Sequence, residues 1–232
     1  MTEKTGPGDF VRIEFTGKRA ADGSVFDTTD AAKAKEAGIF NERYKYGPSL
    51  VVVGKGMVVK GLDDALAGMP LGEARKVEIP PEKAFGQRNA SLVRVIPLAE
   101  FRKRDLEPKQ GMVIELDDRP ALVRSVTSGR VMVDMNHSLA GEKVVYEVKV
   151  TEKVDGAEGK LKALLDENGL SGATVKMKGS EPVLGFSHKA GEEAKHLVAK
   201  AAFLRSVKEL MPELGKVRFE EEFILAEEKK KE

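Results

Sequence analysis

The chain has 232 residues, of which 41% are hydrophobic and 33% charged, so it has the material for a packed core under a hydrated surface and is not wholly disordered. Thirty-nine basic against 38 acidic side chains leave a formal charge of +1, and no global basic field exists to gather nucleic acid or anionic lipid. The absence of cysteine excludes disulfide scaffolds, thiolate catalysis and every Cys-ligated metal centre.

The residues Met1 to Gly8 are polar and lack the apolar centre of a secretory signal. Leu50 to Val59 is the most apolar stretch; Lys55 interrupts it, and it falls short of the roughly 20 residues that span a bilayer. The expectation is a soluble cytoplasmic protein without nucleic-acid or membrane partners. Residues 9–16 alternate apolar and polar and predict a half-buried strand, with Phe10 or Val11, Ile13 and Phe15 facing inward. Asp22-Gly23 marks a turn before Val25-Phe26-Asp27. Residues 31–37 predict a short helix or ordered loop, Leu50 to Val53 a strand, Asp63 to Leu66 one or two helical turns ending at Gly68, and Glu73 to Ile79 another strand.

From 88 to 136 the character changes, with nine basic and seven acidic side chains. A strand at 91–96, a helix at 98–104 and strands at 112–116, 121–126 and 130–135 are predicted, turning at Asp117-Asp118 and Ser128-Gly129. Lys143 to Val150 alternates as a further strand, and Asp155 to Gly159 reads as a linker. Beyond it a short helix near Leu161–Leu165 precedes strands at 174–178 and 182–186. Ala194, Leu197, Ala201, Leu204 and Met211 share one face of a long helix that Pro212 ends, and Lys216 to Leu225 forms a last strand. The charged tail Glu227 to Glu232 is expected to fray.

Several familiar chemistries are missing. Gly54 to Val59 and Gly56 to Leu62 begin like phosphate-binding loops but lack their closing residues. Gly185-Phe186-Ser187-His188-Lys189 lacks the last glycine of a nucleophile elbow. Without cysteine or a His-Glu-x-x-His run, His188 and His196 read as incidental surface residues, and no metal or cofactor is expected.

One ordered set of segments remains: Val25-Phe26-Asp27, Val58-Val59-Lys60-Gly61-Leu62, Ala84-Phe85-Gly86, Val133-Asp134-Met135-Asn136-His137-Ser138-Leu139-Ala140-Gly141 and Tyr146-Glu147-Val148-Lys149-Val150. In order and spacing this set resembles the FKBP-type peptidyl-prolyl cis-trans isomerases of the SlyD-like group over residues 5–153, and the remainder resembles the C-terminal extension of the family's long archaeal type. The resemblance implies an α+β fold. An FKBP antiparallel half-barrel around a short helix (1–87 with 137–156) would carry a small β domain inserted in the flap (88–136) and a C-terminal α/β domain (157–232).

It also implies a proline pocket. Phe15, Phe26, Val58, Leu62, Phe85 and Tyr146 would take the ring, the Val59 backbone N–H would hold a substrate carbonyl, and Asp27 would lie beside the twisting one. Leu139 and His137 join the substrate-binding set. From alternation alone, Phe15 and Tyr146 read as core residues of their strands, Asp27 as a turn residue and His137 as a structural hinge residue. The sequence departs from the family where Phe85 replaces a common tyrosine, Leu62 an indole, Ser138 a proline, and Ser49 and Val51 aromatics; the metal-binding tail of some members is absent.

The implied function is isomerisation of X-Pro bonds combined with chaperone action on unfolded or partly folded polypeptides. A holdase with a weakened pocket is the alternative, and the C-terminal part is a candidate homodimer interface. In the inserted module, Val93, Val95, Ile96, Leu98, Phe101, Met112, Met132 and Met135 supply a small core; either all of them are spent on it, since a small domain has few buried positions to spare, or the leftover ones, with adaptable methionines, grip client chains.

Overall fold

The computed structural model describes residues 3–189 and 193–224, with the backbone alone at 189 and 193–195. The first half runs β1 (Phe10–Arg19), β2 (Val25–Thr28), α1 (Ala31–Glu36), β3 (Ser49–Val52), α2 (Lys60–Leu66) and β4 (Ala74–Ile79). Then come β5 (Val93–Pro97), α3 (Leu98–Arg102), β6 (Val113–Leu116), β7 (Arg119–Thr127), β8 (Arg130–Asp134) and β9 (Val144–Val154). The chain continues through α4 (Gly156–Glu167), β10 (Thr174–Lys178), β11 (Glu181–Lys189), α5 (Glu193–Leu210) and β12 (Arg218–Ile224). The tail Glu227–Glu232 and the Ala194 side chain lie outside the described residues. Among the described residues no helix is long and apolar enough to cross a membrane.

The chain divides into two compact units. The first comprises the chain up to Lys18, Ser24–Val77 and everything from Tyr146 on. Its main sheet has the order β2-β1-β9-β4, with β3 also paired antiparallel to β1. Residues of β1 and β3 alternate across this sheet as the strand period requires. Phe10, Leu50 and Val52 join one apolar cluster with Leu161, Leu164 and Leu165 of α4, Leu184 of β11 and Phe203 of α5. Val11, Ile13, Val51 and Val53 point the other way and are equally buried, as are Leu62 and Leu66 of α2. Phe10 and Val11 are therefore both inside, because each face of the sheet is covered here.

The C-terminal elements thus share a core with the first sheet. Arg12, on the same face as Phe10, adds ion pairs to Glu152 at 3.6 Å and Asp166 of α4 at 3.9 Å. The small C-terminal sheet has the order β10-β11-β12. β11 and β12 run parallel because α5 crosses over between them. The linker expected at Asp155–Gly159 is instead the start of α4; the helix buries Leu161, Leu164 and Leu165, and that apolar face outweighs the two early glycines. Nor are the two histidines incidental surface residues. His188 is 1% exposed, and its ring lies 4.5 Å from that of His196, beside Lys200 and Glu221.

The second unit comprises Arg19–Gly23 and Glu78–Val145. Its antiparallel sheet has the order β5-β8-β7-β6. Asp117 and Asp118 turn between β6 and β7 with φ of 52° and 58°, and Ser128 and Gly129 turn between β7 and β8 with φ of 40° and 80°. These left-handed pairs match the twist of a tight hairpin. Phe101, Ile114, Ala121, Val123, Val131 and Val133 form the core of this sheet, with Ile96, Leu98 and Met135 packed at its margin. Val95, Met112, Val113 and Met132 remain exposed. The apolar residues of the module thus split between a core and a surface.

Candidate active site

In the first unit, β1, β2 and β9 bring three aromatic rings together. The Tyr146 ring lies 5.8 Å from Phe15 and 5.7 Å from Phe26, the latter edge to face at 86°. Phe15 and Phe26 remain half-buried, while Tyr146 is 4% exposed. Gly17 sits beneath two of the rings. A Cβ there would fall 2.7 Å from Phe26 and 3.0 Å from Tyr146, so the close approach of the rings requires a residue with no side chain.

Hydroxyl groups fix the backbone around this corner. The Phe15 N–H donates to Thr29 Oγ1 at 2.9 Å, and the Phe15 carbonyl accepts from the Thr29 N–H at 3.0 Å and from Thr28 Oγ1 at 3.1 Å. Asp27, between Phe26 and Thr28 on β2, is an exposed residue. Its carboxyl is nonetheless crowded by protein, and this desolvation raises its pKa above the usual carboxylate value, opposed by a hydrogen bond from the Thr28 N–H. Burial, with the Asp27 charge adding to it, pushes the Tyr146 phenol far above its ordinary value. Tyr146 is therefore a neutral hydrogen-bond donor at any physiological pH.

Val58 and Val59, half-buried, lead into α2, with Val59 at its N-cap and Leu62 fully buried one turn on. This approach is held by a residue the motif reading passes over. The buried Asp63 carboxylate accepts the N–H of Gly54 at 2.8 Å and of Gly56 at 2.9 Å, fixing the turn just before Val58. An acid in the first helical turn after Gly-Lys-Gly is the signal that marks it.

Phe85, His137 and Leu139 belong to the second unit. The Phe85 and His137 rings stack face to face with centroids 4.5 Å apart and planes within 1°. The Gly141 N–H donates to the Gly86 carbonyl at 2.8 Å, tying their two loops together. His137 Nδ1 accepts from the Leu139 N–H at 3.2 Å, so a neutral His137 carries its proton on Nε2. Leu139 is 3% exposed. The same region holds the buried Asp134, whose Oδ2 pairs with Arg88 and with Arg124 at 3.0 Å and whose Oδ1 accepts from the Asn136 N–H and Nδ2. Burial opposes ionisation of Asp134, but these four donors outweigh it and hold its pKa below the ordinary carboxylate value.

The structure therefore assembles Phe15, Phe26, Asp27 and Tyr146 at one corner and sets Val58, Val59 and Leu62 on the loop and helix of the same unit. Phe85 pairs with His137 in the other.

Residues 1–101 match the model of the FKBP-type peptidyl-prolyl cis-trans isomerases, and residues 94–139 match the model described as the FKBP26 IF domain. The chain is 37% identical over 145 residues to a short-type peptidyl-prolyl cis-trans isomerase of Methanocaldococcus jannaschii, covering 62% of this chain and 91% of the relative. It is 31% identical over 166 residues to the FKBP-type isomerase SlyD of Treponema pallidum, covering 70% and 85%, and 32% identical over 151 residues to SlyD of Aeromonas hydrophila, covering 64% of each. Taken with the aromatic corner and the matched motifs, these likenesses establish that the chain belongs to the FKBP-type peptidyl-prolyl cis-trans isomerase family.

Proposed function

We propose that the protein accelerates cis-trans isomerisation of X-Pro bonds in folding polypeptides, and that its inserted domain holds the client chain meanwhile. The observation that carries this reading is the corner of Phe15, Phe26 and Tyr146 with the Asp27 carboxyl beside it. The X-Pro bond exchanges in tens to hundreds of seconds unaided because rotation breaks amide resonance. A twisted imide has a less polar carbonyl than a planar one. A water-poor aromatic hollow therefore penalises the planar ground state more than the transition state, which is differential binding. A thousandfold acceleration needs only about 4 kcal/mol, and no nucleophile, metal or cofactor enters the scheme.

In this scheme Phe15, Phe26, Tyr146 and Val58 receive the proline ring, the fully buried Leu62 backs the pocket floor, the Val59 N–H donates to a substrate carbonyl, and Asp27 interacts with the rotating carbonyl. The roles of Phe85, His137 and Leu139 rest on the family resemblance alone. Functionally we assign isomerisation to 1–87 with 137–156, client holding to 88–136 and a separate C-terminal role to 157–232, all in the cytoplasm. Exposed Val95, Met112 and Met132 support client holding by the inserted part. Exposed Leu197, Val198 and Leu204 on α5 support a homodimer through the C-terminal part, which light scattering at twice the chain mass would bear out.

The test is a coupled isomerisation assay on a short X-Pro peptide. Wild type should exceed the uncatalysed rate, and Asp27→Ala should lose about tenfold or more in kcat/KM. A wild type indistinguishable from the uncatalysed reaction, yet still able to suppress aggregation of an unfolded client, would favour the holdase reading. The absence of a hydroxyl at Phe85 is the observation on that side.

A further inference from the structure

A groove of about 880 Å³ opens in the second unit along β6, β7 and the segment Asp134–Ser138. Its charges are unbalanced. Arg19, Arg88, Arg119 and Arg124 line it against only Asp134 and Glu142, an excess of two positive charges. Arg19 is matched by Glu142 at 2.7 Å. The one buried carboxylate of Asp134 serves both Arg88 and Arg124, so this trio keeps a net positive charge. Arg119 is exposed, and among the described residues its guanidinium has no ion pair or hydrogen bond.

The rest of the lining is apolar: Val113, Pro120, Leu122 and Met135, with Val113 62% exposed. β6 is the edge strand of its sheet, so its outer backbone groups are placed to pair with an extended chain. His137, stacked on Phe85, borders the groove.

We infer that this groove selects client segments in which an Asp or Glu lies beside apolar residues. The guanidiniums would take the carboxylate in charge-assisted hydrogen bonds, and Val113, Leu122 and Met135 would cover the neighbouring apolar side chains. The volume and the sheet edge favour an extended polypeptide over a small anion. The inference rests on the isomerase reading above and names the substrate class of that activity.

The test uses the full chain and three peptides with one common X-Pro core, joined through a flexible glycine-serine spacer to an apolar segment that bears acidic, neutral or basic residues. Isomerisation is followed by exchange spectroscopy, so that no protease imposes its own preference. At low ionic strength kcat/KM for the acidic peptide should exceed that for the basic one by about tenfold, the scale of one charge-assisted contact, and the ratio should shrink several-fold at high salt. Arg119→Glu should bring the ratio to one or below, and Arg119→Lys should retain most of it. A wild-type ratio within twofold of one, or a ratio unchanged in Arg119→Glu, overturns the inference.

Failure of the isomerase reading is distinguished by a second measurement: anisotropy of a labelled, proline-free acidic peptide titrated with the full chain. Tighter binding by wild type than by Arg119→Glu supports the groove even if no peptide is turned over. Equal binding by both overturns it.

Discussion

Gly17 has no Cβ to place between Phe26 and Tyr146, where one would stand 2.7 Å and 3.0 Å from the rings. We predict that Gly17→Ala displaces Phe26, lowers kcat/KM at least tenfold and costs about 1–3 kcal/mol of stability, the usual penalty for overpacking. Urea unfolding and the peptide assay check the two effects separately. Asp27 makes a different prediction. Crowding raises its pKa in the folded state above the unfolded value of 3.8, so the ionised carboxylate is a burden on the fold at neutral pH. Asp27→Asn should therefore raise Tm at pH 7, and the gain should vanish below the unfolded pKa, where both states hold the proton. If the carboxylate acts in its ionised form, activity should fall as pH drops through a value above 3.8, and Asp27→Asn should remove that acid limb. A higher Tm together with lower activity in Asp27→Asn would mark a residue kept for function against stability. Neither Gly17 nor the burden on Asp27 is legible in the strand pattern, because both depend on which rings approach from other strands.

At the scale of elements, alternation placed most strands within a few residues, since a strand with one wet face writes a period of two into its sequence. Where both faces are covered that signal disappears. Leu50–Val53 is continuously apolar because Leu50 and Val52 face the C-terminal core while Val51 and Val53 face the other side. The start of α4 was hidden by Gly156 and Gly159, which local composition assigns to a linker; the burial of Leu161, Leu164 and Leu165 decides otherwise. The polar anchor at the end of β8 was hidden for another reason, since Asp134 meets Arg88 and Arg124 only after folding. Its pKa is held below the unfolded value despite burial, so its stabilisation is complete above the ordinary carboxylate range and fades as pH falls toward the lowered folded value. Asp134→Asn should destabilise by about 1–3 kcal/mol at pH 7, with the difference from wild type shrinking at the acid end of a pH series of urea melts. A constant difference across that series would place the effect in packing instead of charge.

For the whole molecule, the shared core of the first unit is the feature that motif matching could not reach. The matched segments end near residue 153, yet Phe10, Leu50 and Val52 are buried against elements beyond it. Removing the chain from Gly156 onward should expose these three side chains at a cost on the order of 5 kcal/mol. Tm should drop by about 10 °C or more, with increased binding of an apolar dye; an unchanged melt would mean that the extension contributes little to the core.

The central claim is that an aromatic hollow prefers the twisted imide. Exchange spectroscopy on a short X-Pro peptide with catalytic amounts of the full chain tests it most directly. The account predicts cis-trans exchange much faster than the uncatalysed tens to hundreds of seconds, with the acceleration lost in Phe26→Ala while the fold persists. Exchange at the uncatalysed rate with the folded wild-type chain, or full acceleration by Phe26→Ala, would contradict it.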